Sequence, residues 1–141
     1  MNQLLILQPV AVLMLLTALV WLLMYVRRLS YILKNNIDTQ SIATPEAMNS
    51  IIPAHIHGAS NNLKNLFELP VIFYALCAML LLSHMVTTTD LYCAWAFVIL
   101  RIVHSLIHCT VNIVNLRFGA YLLSSLVLWY LVINFLIRSF I

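Results

Sequence analysis

Four long apolar stretches leave this chain little freedom in what it can fold into. They cover about residues 4–24, 66–85, 91–111 and 118–137, each near the ~20 residues that a helix needs to cross the hydrocarbon core of a bilayer. In lipid only helices and closed barrels satisfy every backbone polar group. With two glycines and no alternating apolar pattern, the barrel alternative lacks its signature. Composition agrees: the chain is 64% hydrophobic and 8% charged, against about 45–50% and about 25% for a soluble domain. Mean hydropathy is +1.02. The expected class is an all-α membrane protein, with residues 1–141 forming a single four-helix transmembrane domain.

The connections set the topology. Met1-Asn2-Gln3 carries no positive side chain, and Arg27-Arg28 follows the first stretch. That is the reverse of a cleavable signal, so the stretch is expected to remain as an anchor. Trp21 and Tyr25 are placed as an interfacial belt, and Pro9 falls early enough in the helix to be tolerated. Residues 34–64 form the one substantial polar segment. Within it, Thr44-Pro45-Glu46 reads as a helix start with Thr44 as N-cap. Pro53 and Gly58 interrupt the segment, and Ser60 is the expected N-cap of the helix that enters the membrane. The remaining connections, 84–90 and 112–117, are short, which predicts an up-down-up-down bundle.

The net charge of +3 is informative by location. Arg27, Arg28, Lys34, Lys64 and Arg117 fall in the first and third loops and none in the second. The positive-inside rule then puts residues 34–64 in the cytoplasm and both termini outside. The chain is expected to be a multi-pass integral membrane protein, of the inner or plasma membrane if bacterial. No clustered basic surface suits nucleic acid. Cys77, Cys93 and Cys109 lack CxxC spacing and read as small buried hydrophobes.

Chemistry concentrates in two places. Arg101, His104, Ser105, His108, Asn112 and Asn115 share one face of a helix drawn through the third stretch. An arginine inside a spanning helix costs about 2.5–3.5 kcal/mol even on lenient insertion scales, so this face is expected to look into protein or a wet cavity. At the start of the second stretch, Asn61, Asn65 and Glu68 share a face at i, i+4, i+7, with Lys64 at its edge. Glu68 reads as the only acid inside an apolar span, and Arg101 is its expected partner. Pro70 leaves the carbonyl of Leu66 without its helical donor, which predicts a kink or notch beside Glu68.

Plainer readings stand beside these. Glu68 with Arg101 reads equally as a structural ion pair, and Asn65 and Asn112 as interhelical hydrogen-bonding glue. His104 and His108, at i and i+4, with Glu68 as third ligand, would suit a metal, which the adjacent arginine disfavours. His55 and His57 read as ordinary loop residues, and Arg27 and Arg28 as topology determinants. Taken together, Arg27 or Arg28, Lys64, Arg101 and Arg117 face one glutamate. That balance suits a small anionic ligand gripped in bidentate fashion, and it would activate a bound thiol.

The strings Asn65-Leu66-Phe67-Glu68-Leu69-Pro70 and Arg101-Ile102-Val103-His104-Ser105-Leu106-Ile107-His108, followed by Arg117, resemble the MAPEG superfamily. These are the membrane-associated proteins of eicosanoid and glutathione metabolism, and the similarity is greatest to their bacterial branch with N-L-F-E-x-P. The resemblance implies a homotrimer of four-helix subunits with glutathione bound between neighbours on the cytosolic side. It implies that Asn65 and Glu68 hold the glutathione backbone together with Arg101 and His104. It also implies that Arg117 stabilises the thiolate, with Tyr121 near it, and that Arg27 or Arg28 comes from across the subunit boundary. Lys64 and Asn61 stand where characterised members usually have arginines, and His108 where they have a tyrosine.

The expected function is a glutathione-dependent transferase or peroxidase acting on lipophilic electrophiles from the bilayer. Catalysis would rest on Arg117 and Tyr121. Binding would fall to Arg27, Arg28, Lys64, Asn65, Glu68, Arg101, His104 and His108, with no metal. The alternatives are a non-catalytic membrane protein that binds a lipid or small anion, and a small proton-coupled transporter built on Glu68.

Overall fold

The structure, a computed structural model, describes residues 2–140. The described residues form six α-helices: α1 (Leu7–Lys34), α2 (Pro45–Ile51), α3 (Gly58–Leu66), α4 (Leu69–Leu82), α5 (Thr88–Cys109) and α6 (Val114–Phe140). Four helical segments are long and apolar enough to cross a membrane: Gln3–Lys34, Gly58–Leu82, Thr88–Cys109 and Val114–Phe140. The protein is therefore an all-α, multi-pass membrane protein. A 3-10 turn over Gln3–Ile6 leads into α1, which continues past the end of its apolar stretch to Lys34. Pro9 lies in the first turn of α1, where a proline is tolerated.

Each span buries a narrow stripe and leaves the rest apolar and exposed, as lipid permits. On α1 the buried stripe is Pro9, Leu13 and Val20, while Leu15, Leu19, Leu22 and Val26 are exposed. The core gathers Phe73, Leu76 and Leu80 of α4, Ala94, Phe97 and Val98 of α5, and Leu128, Leu131 and Phe135 of α6. The rings of Phe73 and Phe97 stack at 4.7 Å between centroids. The pair α5 and α6 is the most extensively packed.

The second span is interrupted where Pro70 predicts. Helix α3 ends at Leu66, and Glu68 takes φ −95°, ψ −104° before α4 begins with Pro70 in its first turn. Unbroken, the helix would set the Pro70 ring against the Leu66 carbonyl. The start of α3 differs from expectation. The helix begins at Gly58, and its N-cap, His57, makes no side-chain capping bond. Ser60 instead accepts a hydrogen bond from Arg28. At Gly58 a Cβ would lie 3.1 Å from the carbonyl oxygen of His108, a tight contact, so the glycine lets α3 close on α5 without displacing it. Thr44 does cap α2, its Oγ1 accepting from the Ala47 amide at 3.2 Å.

Asp90, read from sequence as a loop residue, is fully buried within α5. It completes a capping box with Thr87 and pairs with Arg138 of α6, whose Nη2 lies 3.0 and 2.9 Å from the two carboxylate oxygens. Glu68 is thus not the only acid within a span. At the same end, Gln3 clamps both backbone groups of Val86. These contacts fasten the end of the bundle opposite the basic loops.

Candidate functional site

The polar face of α5 is buried, as its cost in lipid requires. Arg101 is 0% exposed, and His104, Ser105 and His108 are also buried. The stripe stops with the helix at Cys109. Asn112 sits in the following turn at φ 50°, and Asn115 belongs to α6 and is exposed, so neither continues the face drawn from the sequence.

Arg101 does not pair with Glu68. Its Nη2 donates to the backbone carbonyl of Asn65 at 2.6 Å. That carbonyl is one of the four that a helix C-terminus leaves without internal donors, and the guanidinium also meets the negative end of the α3 dipole. The guanidinium carbon lies 4.8 Å from the centre of the Tyr121 ring. Its Nε and Nη1 are buried without a hydrogen-bond partner. Glu68, freed by the break in the second span, is exposed and accepts from the Tyr121 hydroxyl at 3.1 Å. The ion pair expected between Glu68 and Arg101 is replaced by a layered arrangement, with Tyr121 bonded to the glutamate and stacked on the arginine.

His104 is held on two sides. One ring nitrogen, Nδ1, lies 2.8 Å from the Arg117 carbonyl, and Nε2 lies 3.5 Å from the Asn65 amide nitrogen. Its ring meets those of His108 and Tyr121 at 5.5 and 5.7 Å. Arg117 is half-buried, and its Nη1 donates to Asn112 Oδ1. Deeper between α3 and α5 is a network that sequence reasoning missed. Asn62, fully buried, accepts from Ser105 at 3.3 Å and donates to the Cys109 sulfur at 3.5 Å. Its only sequence signal is an amide one turn before Asn65, on the face turned to α5.

Two adjoining cavities open here. One, of about 310 Å³, is lined by Asn61, Lys64, Asn65, Glu68, His108 and Arg117. The other, of about 190 Å³, shares Asn65, Glu68 and Arg117 and adds His104, Tyr121, Val114 and Phe118. The fold thus brings Lys64, Asn65, Glu68, His104, His108, Arg117 and Tyr121 to one opening, with Arg101 buried behind Tyr121. The His108 Nδ1 is buried without a partner. Arg27 and Arg28 lie elsewhere. Arg27 donates to the Cys109 carbonyl at 2.9 Å, and Arg28 lines a separate cavity with Ser60.

The cavities can hold an anion through Lys64 and Arg117, an ammonium through Glu68 and amides through Asn65. Among the described residues no three His, Cys, Asp or Glu side chains come together as a metal site. The three cysteines are free, with Cys77 and Cys109 buried and Cys93 half-buried. No curated protein and no solved structure matches the chain. The family model described as MAPEG family matches residues 6–137, and the chain belongs to that family.

Proposed function

We propose that the protein is a membrane glutathione-dependent transferase or peroxidase that acts on lipophilic electrophiles or hydroperoxides arriving from the bilayer. The observation that carries this reading is the composition of the adjoining cavities. Glutathione presents two carboxylates, an ammonium, two amides and a thiol. Lys64 and Arg117 supply cations, Glu68 the single carboxylate, and Asn65 an amide. The orphaned Nε and Nη1 of Arg101, behind Tyr121, add donors that the chain itself does not satisfy.

Bound here, glutathione would supply a thiolate nucleophile. Arg117, at the rim shared by both cavities, is the group that would hold that negative charge, with the Tyr121 hydroxyl as a second donor. Lys64 would fix a carboxylate, and Glu68 and Asn65 the opposite end of the tripeptide. His104 orients the rim by bonding the Arg117 carbonyl. His108 contributes a ring nitrogen to the polar cavity in place of a tyrosine hydroxyl. The exposed Phe118 and Val114 give the smaller cavity an apolar side suited to a lipophilic co-substrate.

The working unit in this reading is a homotrimer with its sites at subunit boundaries on the cytosolic side and both termini outside. Arg27 of a neighbouring subunit would complete the anion grip, exchanging its Cys109 carbonyl for the ligand. The test is ultraviolet difference spectroscopy of purified protein with glutathione. The wild type develops thiolate absorbance near neutral pH, and Arg117→Ala loses it. Equal absorbance in both proteins removes Arg117 from the thiolate role.

A further inference from the structure

His108 lines the cavity of about 310 Å³ together with Lys64, Glu68 and Arg117. The residue is buried, and its Nδ1 has no hydrogen-bond partner. Its backbone is held from two sides. The His108 carbonyl abuts Gly58 of α3, and Arg27 of α1 donates to the next carbonyl, that of Cys109, at 2.9 Å. The ring meets that of His104 edge-on at 5.5 Å. A fixed imidazole with an uncommitted nitrogen thus stands in the wall of the proposed thiol site.

A thiol must lose its proton before its sulfur can act as a nucleophile. The other groups around the two cavities are poorly placed to take that proton. Lys64 and Arg117 are cations with no lone pair to offer. Glu68 already accepts from the Tyr121 hydroxyl, and a carboxylate is too weak a base to strip a thiol. His104 is engaged at both nitrogens. Its Nδ1 lies 2.8 Å from the Arg117 carbonyl, which only accepts, so Nδ1 carries the ring proton. Its remaining lone pair faces the Asn65 amide nitrogen at 3.5 Å. His108 is left, with the base strength that suits proton transfer near neutral pH.

We propose that His108 is the general base that takes the thiol proton, a role that rests on the glutathione reading above. The S–H bond breaks with its electron pair left on sulfur, and the proton forms an N–H bond on the imidazole. A thiolate then lies against Arg117 with an imidazolium in the same cavity. The charged groups around the ring are Lys64 from α3, Glu68 from the break, Arg117 from α6, and Arg101 with His104 on its own helix, while Arg27 of α1 is bound one residue away. Bound glutathione carries two carboxylates against one ammonium, so the ligand itself brings counter-charge for the imidazolium.

The test is a proton balance on the full chain in weakly buffered detergent solution. An indicator dye reads protons released, and ultraviolet absorbance reads thiolate formed. The working pH is about 7.5, where a free imidazole is mostly neutral and a free thiol mostly protonated. S-methylglutathione, which has no thiol proton, gives the release due to binding alone and is subtracted. The proposal expects the wild type to form thiolate while releasing less than about 0.3 proton per thiolate, because the protein keeps the proton. His108→Gln is expected to release about one proton per thiolate, or to form no thiolate while still binding S-methylglutathione. His108→Asn repeats the reading if the first variant does not fold. Release of about one proton per thiolate by the wild type overturns the proposal alone, since water then takes the proton. Retention of the proton by the His108 variants also overturns it, by assigning the base to another group. Absence of glutathione binding to the wild type overturns the underlying reading and this one with it.

Discussion

The Nη2 of Arg101 lies 2.6 Å from the backbone carbonyl of Asn65, so a buried cation in α5 closes the C-terminus of α3. The bond ties the break at Glu68 to the polar face of α5, because an unbroken second span would have used that carbonyl itself. Arg101→Met should therefore lower stability by about 1.5–3 kcal/mol, the worth of a hydrogen bond to a charged group. Reversible unfolding in detergent micelles checks this. A loss below about 0.5 kcal/mol would mean that water or another donor takes over the carbonyl.

Removing the counter-charge from buried Asp90 should be more costly. Arg138→Met leaves a fully buried carboxylate that keeps its capping partners at Thr87 but loses its cation. The expected loss is about 3 kcal/mol. The double variant with Asp90→Asn should recover part of it, since the charge is gone while the capping oxygen remains. A double-mutant cycle measures the coupling, and additive losses would deny it.

Glu68 and Tyr121 share one hydrogen bond but have unequal roles in the proposed site. Tyr121→Phe should weaken glutathione binding a few-fold, by the loss of about 0.5–1.5 kcal/mol. Glu68→Gln should weaken it about tenfold or more, because among the described residues the carboxylate is the only anionic side chain lining either cavity. Dissociation constants for the two variants decide the order, and the reverse order would take the ammonium away from Glu68.

Gly58→Val should destabilise the protein by about 1–3 kcal/mol through overpacking. The atom that a Cβ meets is the His108 backbone carbonyl, which cannot rotate away as a side chain would. The variant should also weaken ligand binding, because α5 is pushed back at His108. Unchanged thermal stability would show that α3 and α5 are less tightly closed than their geometry indicates.

Much of this architecture is legible in the sequence because its signals are local. Apolar length marks the spans, Thr44 and Pro45 mark the start of α2, and the spacing of Arg101, His104 and His108 marks a buried face. The contradicted expectations depended on distant partners or on backbone geometry. Charge matches Arg101 to Glu68, whereas the break after Leu66 offers it a carbonyl and turns Glu68 toward Tyr121. Asn112 and Asn115 fall on the stripe only if the helix is extended past Cys109, where it stops. Asp90 looked like a loop acid because its partner, Arg138, lies at the far end of the chain.

The central claim is that the cavities lined by Lys64, Asn65, Glu68, Arg117 and Tyr121 bind glutathione. Isothermal titration of the purified protein with glutathione tests it directly. The account predicts saturable binding at or below millimolar ligand, and at least tenfold weaker binding by Glu68→Gln. Absence of binding to the wild type at millimolar glutathione would contradict it and leave the four-helix fold with a different ligand.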